Sequence, residues 1–131
     1  MNATAQIKIL IAEDANDQRA VLVALLQKAG YTTFEASEAY QARQIGQREV
    51  PDLILTDFKM PAGGGESLLQ GLKKFAKTKS IPVIVITAAP DEARAHSEGC
   101  LGVVAKPVDG AKLLYLVREV LARMKHAAPV S

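Results

Sequence analysis

The sequence predicts an α/β protein built on a single doubly wound sheet of five parallel strands. Three observations predict it. Short runs of β-branched, aliphatic or aromatic residues recur at five places, each too short for a helix. Two of them, Ile9-Leu10-Ile11 and Val83-Ile84-Val85-Ile86, are apolar at every position, as strands covered on both faces must be. Segments of helical periodicity separate the runs, and this alternation requires parallel pairing with right-handed crossovers.

Lys8 to Ala12 reads as a central strand ending at the adjacent acids Glu13-Asp14. Asn16 or Asp17 can cap the first helix, whose inner face is Leu22, Leu25, Leu26 and Ala29, with Gly30 as a left-handed stop. Tyr31 to Ala36 carries the β-branched and aromatic bulk of a second strand. Ser37 is expected to cap a second helix with Ala39, Ala42 and Ile45 inward, and Gly46 to fray its end. Leu53 to Thr56 is the third strand, running into Asp57. Met60-Pro61 and Gly63-Gly64-Gly65 follow as a flexible turn. Leu68, Leu69, Leu72 and Phe75 mark a third helix. Val83 to Thr87 is the fourth strand, and a short helix is expected over Asp91 to Glu98. Gly102 to Ala105 is the fifth strand, closed by Lys106-Pro107. Asp109 caps a last helix with Leu113, Val117, Val120, Leu121 and Met124 inward. Residues 1–125 form one domain, and 126–131 read as a frayed, patternless tail.

The totals narrow the function. Net charge is +2, and 49% apolar with 23% charged residues is an ordinary globular mix. Charge therefore gives no reason to expect direct nucleic-acid binding. Lys73, Lys74, Lys77 and Lys79 read as a solvated helix end, and His96 and His126 as solvated helix residues. No run approaches a membrane span and no signal-peptide pattern opens the chain, so a cytoplasmic protein with no membrane partner is expected. The single cysteine, Cys100, excludes an internal disulfide and reads as a packing residue.

Parallel strands put their carboxyl ends on one edge, where ligands collect. Glu13, Asp14, Asp57, Thr87 and Lys106 all fall at predicted strand ends. Three gathered acids repel and call for a cation. Oxygen donors without nearby His or Cys favour a hard divalent ion, Mg²⁺ best. Lys106 and Thr87 suit phosphoryl oxygens, which equips Asp57 to attack phosphorus. Each residue alone has an ordinary structural role; their conjunction carries the weight.

With those residues in place the chain resembles the receiver domain of two-component response regulators. The matching stretches are Ile-Leu-Ile-Ala-Glu-Asp, Pro-Asp-Leu-Ile-Leu-Thr-Asp-Phe-Lys-Met-Pro with Gly65, Ile-Pro-Val-Ile-Val-Ile-Thr-Ala, and Ala-Lys-Pro, over roughly Ile7 to Arg123. The resemblance implies a flavodoxin-like (βα)5 fold with strand order 2-1-3-4-5, as that fold family has. It implies that Asp57 accepts a phosphoryl group from a sensor histidine kinase or a histidine phosphotransfer protein. Asp14 would ligate Mg²⁺ directly, Glu13 through water, and the Lys59 carbonyl would complete the set. Thr87 and Lys106 would hold phosphoryl oxygens, and Lys106-Pro107 would be cis. Such a chain phosphorylates and dephosphorylates itself as a phosphoacceptor rather than turning over like an enzyme. Output would leave through the fourth helix, fifth strand and fifth helix, with a homodimer as one form. The chain would act alone or as the receiver part of a larger regulator.

Three features depart from the family pattern. Val103 stands where an aromatic partner of the threonine is usual. The segment from Thr87 to Lys106 is about one turn short. Lys59, two residues past the acceptor, is expected to contact an acid or a phosphoryl oxygen and to alter phosphoryl lifetime. The first two favour a rival reading, a receiver-shaped interaction module not regulated by phosphorylation. A flavin carrier is disfavoured because Glu13-Asp14 would repel a cofactor phosphate. An aspartate-nucleophile hydrolase is disfavoured because Lys59 replaces its usual second aspartate.

Overall fold

A computed structural model describes residues 7–60 and 63–127. Five strands and five helices alternate: β1 Lys8–Ala12, α1 Asn16–Lys28, β2 Thr32–Ala36, α2 Ala39–Glu49, β3 Leu53–Asp57, α3 Gly65–Leu72, β4 Val83–Thr87, α4 Pro90–His96, β5 Gly102–Ala105 and α5 Gly110–Ala127. All strands are parallel in the order β2-β1-β3-β4-β5, the predicted topology.

Strand side chains alternate between faces, so each central strand feeds two cores. Ile9, Ile11, Leu53, Leu55, Ile84 and Ile86 meet Leu22 and Leu26 of α1 and Leu113, Val117 and Val120 of α5. Leu10, Ala12, Ile54, Val83 and Val85 meet α2, α3 and α4 on the opposite face. Leu113, Val117 and Val120 are fully buried. Burial of each contributes about 1.5–3 kcal/mol.

Several helix details differ from expectation. The first helix is preceded by Ala15, with no side-chain cap, so neither Asn16 nor Asp17 fills that position. Ala29 is its exposed C-cap rather than an inward residue. Gly30 takes φ +100°, as expected of a left-handed stop. Glu38, not Ser37, precedes α2; the Ser37 N–H instead donates to Gln41 Oε1 at 2.8 Å. Gly46 does not fray the helix. It is buried, a Cβ there would lie 3.4 Å from Leu72, and the helix runs on to Glu49. Val50 then closes it in the left-handed region, φ 45°.

Phe75 lies beyond α3 and is 49% exposed. Thr78 takes the interior place instead: its buried hydroxyl donates to the Leu72 carbonyl at 2.6 Å and turns the chain away from the helix. The short fourth helix stops at His96 rather than Glu98 and buries only Ala93. His96 is exposed, and Cys100 is half-buried against the core, both as expected. Asp109 Oδ1 accepts the Lys112 N–H at 3.2 Å, so the predicted cap of α5 is present. Leu121 and Met124 are only partly buried there. Helix α5 includes His126 and Ala127, which the sequence assigned to the tail. Expectations for Pro61 and for the tail from 128 lie outside the described residues, as does the His126 side chain.

Candidate functional site

The strand ends deliver their polar residues as the topology requires. Glu13 follows β1 directly, its backbone N–H pairing with the Ala36 carbonyl of β2 at 3.0 Å. Asp57 ends β3, and Thr87 ends β4. Lys106 follows β5, tied to β4 by its backbone N–H to the Thr87 carbonyl at 2.7 Å. The Lys106-Pro107 peptide is cis, as the resemblance implied.

Oxygens of Glu13, Asp14 and Asp57 all lie within 4.8 Å of one another. Glu13 is 2% exposed, while Asp14 faces solvent. The Lys106 ammonium sits between two of the acids, 3.0 Å from Glu13 Oε1 and 3.2 Å from Asp57 Oδ2. Lys106 thus spans 93 residues of sequence to Glu13 and 49 to Asp57. The second Glu13 oxygen accepts the Ala15 N–H at 3.1 Å. Asp57 Oδ1 faces the Lys59 backbone N–H at 3.4 Å.

These contacts set the electrostatics. Burial pushes the Glu13 carboxyl up, and the Asp57 charge adds to this; the Ala15 N–H and Lys106 pull the other way without cancelling it. Burial alone would lower the Lys106 ammonium, but hydrogen bonds to Glu13 and Asp57, with their charges, outweigh it and raise it. Lys106 is therefore a firmly charged group.

Thr87 is buried, and its hydroxyl oxygen accepts the Ala89 N–H at 2.9 Å. That leaves the hydroxyl hydrogen to donate elsewhere. The Lys59 side chain pairs with Glu92 of α4 at 3.3 Å. The expected acid contact is therefore present, on a residue the sequence did not single out.

The glycines after Asp57 are not a slack turn. A Cβ on Gly64 would lie 1.8 Å from the Phe58 carbonyl oxygen, and Gly63 takes φ +115°. The Gly65 N–H donates to that same oxygen at 2.9 Å, which ties the start of α3 to the residue after β3.

Sequence reasoning missed Gln18. Its Oε1 accepts the third Lys106 N–H at 2.8 Å. The only sequence signal was its place in the first turn of the helix that follows Glu13-Asp14. Beside it a cavity of about 550 Å³ is lined by Gln18, Val21, Leu22, Ile86, Pro107 and Val108.

The model of the response regulator receiver domain matches residues 9–118. The chain belongs to the response regulator receiver domain family. This receiver domain is 32% identical over 118 residues to PilH of Pseudomonas aeruginosa, covering 88% of this chain and 98% of PilH. It is 31% identical to response regulator Rre1 of Synechocystis, covering 91% of this chain but only 53% of Rre1. A solved relative is the receiver domain of the sensor histidine kinase PA1611 from P. aeruginosa, with a magnesium ion coordinated in its active site cleft. It gives a TM-score of 0.83 at 26% identity, over 89% of this chain and 98% of that one.

The donor set here fits the same kind of ion. All candidate ligands are oxygens, two of the three carboxylates are largely shielded, and among the described residues no His or Cys joins the cluster. No described helix is long and apolar enough to cross a membrane.

Proposed function

We propose that this receiver domain takes a phosphoryl group from a phosphohistidine onto Asp57 and signals by the resulting change of conformation. The observation that carries this reading is the single Lys106 ammonium bonded to both Glu13 and Asp57, with Asp14 beside them. An acceptor carboxylate, a fixed cation and an acidic pocket for a divalent ion are the parts that phosphoryl transfer needs.

In the proposed step, an Asp57 oxygen attacks phosphorus and forms the O–P bond. The P–N bond breaks, and its electron pair returns to the donor imidazole, which takes a proton. Lys106 holds one phosphoryl oxygen by charge, and the Thr87 hydroxyl donates to another. Asp14, Asp57 and the Lys59 carbonyl would hold Mg²⁺, with Glu13 bound through water. Bound Mg²⁺ would neutralise charge on the carboxylates and on the phosphoryl oxygens they face. Hydrolysis of the acyl phosphate resets Asp57.

The donor is a sensor histidine kinase or a histidine phosphotransfer protein, acting in the cytoplasm on the unit formed by residues 1–125. The output surface is the face of α4, β5 and α5, where a partner or a second copy docks. Val103 sits half-buried in β5, opposite Val85. It supplies no aromatic ring to follow Thr87, so signalling here works without that partner.

The test is intact-mass measurement after incubation with acetyl phosphate and Mg²⁺. The native chain gains one phosphoryl group and Asp57→Asn gains none. Equal uptake by the two proteins would overturn the reading. The rival, an interaction module indifferent to phosphorylation, requires that the native chain take up neither phosphoryl nor beryllofluoride.

A further inference from the structure

The Lys106 ammonium has three N–H bonds, and each has a different acceptor on a different part of the fold. Glu13 lies at the end of β1, Asp57 at the end of β3, and Gln18 in the first turns of α1, at 3.0, 3.2 and 2.8 Å. The Gln18 contact is the shortest of the three. Gln18 is also the one neutral acceptor, and it belongs to none of the strand ends.

These acceptors do not have the same fate in the reaction proposed above. Once Asp57 carries a phosphoryl group, its attacking oxygen loses its charge and becomes a weak acceptor. The N–H aimed at Asp57 then turns to a phosphoryl oxygen. Glu13 keeps its bond, because a carboxylate 2% exposed cannot lose its counter-ion without a large cost. With Glu13 alone, the ammonium would pivot about one contact at the end of a flexible four-carbon stem. A second acceptor, the solvent-facing Gln18 amide, restricts that freedom.

We propose that Gln18 is a positioning residue for phosphoryl transfer: with Glu13 it forms a two-point mount that aims the third Lys106 N–H at the acceptor carboxylate and then at the phosphoryl group. Its neutrality suits the task. A neutral amide holds the ammonium without repelling an incoming anionic donor, as a carboxylate there would. The inference rests on the phosphoacceptor reading and deepens it.

The test uses Gln18→Met, which keeps the length and helix preference of the side chain and removes the acceptor. With acetyl phosphate and Mg²⁺, the maximal phosphorylation rate falls about tenfold, the scale of one lost charge-assisted hydrogen bond partly replaced by water, while the apparent KM stays near its native value. In a Lys106→Met background the same change has no further effect, because the group it positions is gone. In metal-free protein, Gln18→Met also speeds hydrogen exchange of the Lys106 ammonium seen by ¹⁵N NMR, a readout that needs no phosphoryl transfer. If Asp57-dependent uptake is normal and Gln18→Met matches the native maximal rate, the Gln18 assignment falls alone. Additive losses in the double variant overturn it too. If the native chain shows no Asp57-dependent uptake, the phosphoacceptor reading falls first and takes this one with it.

Discussion

Replacing Lys106 with Met tests the electrostatic frame of the site without any phosphoryl donor. Methionine keeps the bulk of the stem and removes the charge. At an effective dielectric constant near 20, unit charges at the observed separations of 3.0 and 3.2 Å attract by about 5 kcal/mol each, before desolvation is counted. Most of that is offset by the cost of drawing the groups out of water. Breaking a fully buried pair costs about 3–5 kcal/mol, and the Lys106 side chain is 23% exposed, so the expected loss is about 2–3 kcal/mol. The chain contains no tryptophan, so urea unfolding followed by far-UV circular dichroism is the assay, at pH 7 with EDTA.

The pH dependence has a definite sign. The folded-state Lys106 value is raised, so its contribution is complete below the unfolded lysine value of about 10.4 and is lost only as pH climbs through the higher folded value. The native-to-variant gap is therefore flat from neutral pH to about 10. It narrows in acid, where Glu13, already pushed up by burial, takes a proton and no longer needs a counter-charge. Equal stability of the two proteins at pH 7 would refute the reasoning, as would a gap that widens in acid.

Four further outcomes are expected. Millimolar Mg²⁺ raises the melting temperature of the native chain, the gain approaching about 2.7 kcal/mol at one hundred times its dissociation constant; calorimetry on Asp14→Ala should show most of that gain lost, and an equal gain counts against Asp14 as a ligand. Lys59→Ala changes unfolding free energy by less than about 1 kcal/mol, because its pair with Glu92 is solvent-exposed. The same variant changes the rate at which phosphoryl is lost, measured by intact mass over time, and an unchanged rate removes Lys59 from that role. Val50→Asn raises stability by about 0.5–1 kcal/mol, since asparagine tolerates the left-handed φ of 45° that a β-branched residue resists; a lower melting temperature would show that the Val50 side chain packs more than its exposure suggests.

The sheet was legible because a strand buried on both faces leaves an unbroken apolar run. The central strands Lys8–Ala12 and Val83–Thr87 fall where the sequence put them, and so does the half-buried edge strand Gly102–Ala105. The site residues were legible for a related reason: once strand ends are known, parallel pairing brings Glu13, Asp57 and Lys106 to one edge. Helix ends were harder. Phe75 looked inward by spacing, but a threonine three residues later competes for the interior through its hydroxyl, which periodicity does not register. Gly46 looked like a breaker, yet it is buried against Leu72 inside α2, and the helix continues through it to Glu49. Gln18 was invisible because its role depends on the third N–H of a lysine 88 residues away.

The contact between Gly64 and Phe58 constrains how the proposed phosphorylation would be felt elsewhere in the fold. There is no room there for even one methyl group, and the first turn of α3 hangs from the same carbonyl. The segment behind Asp57 and the start of that helix are consequently one mechanical piece. On the proposed reading, a displacement of Asp57 would pass through this contact into α3, whose Leu68, Leu69 and Leu72 are set in the core.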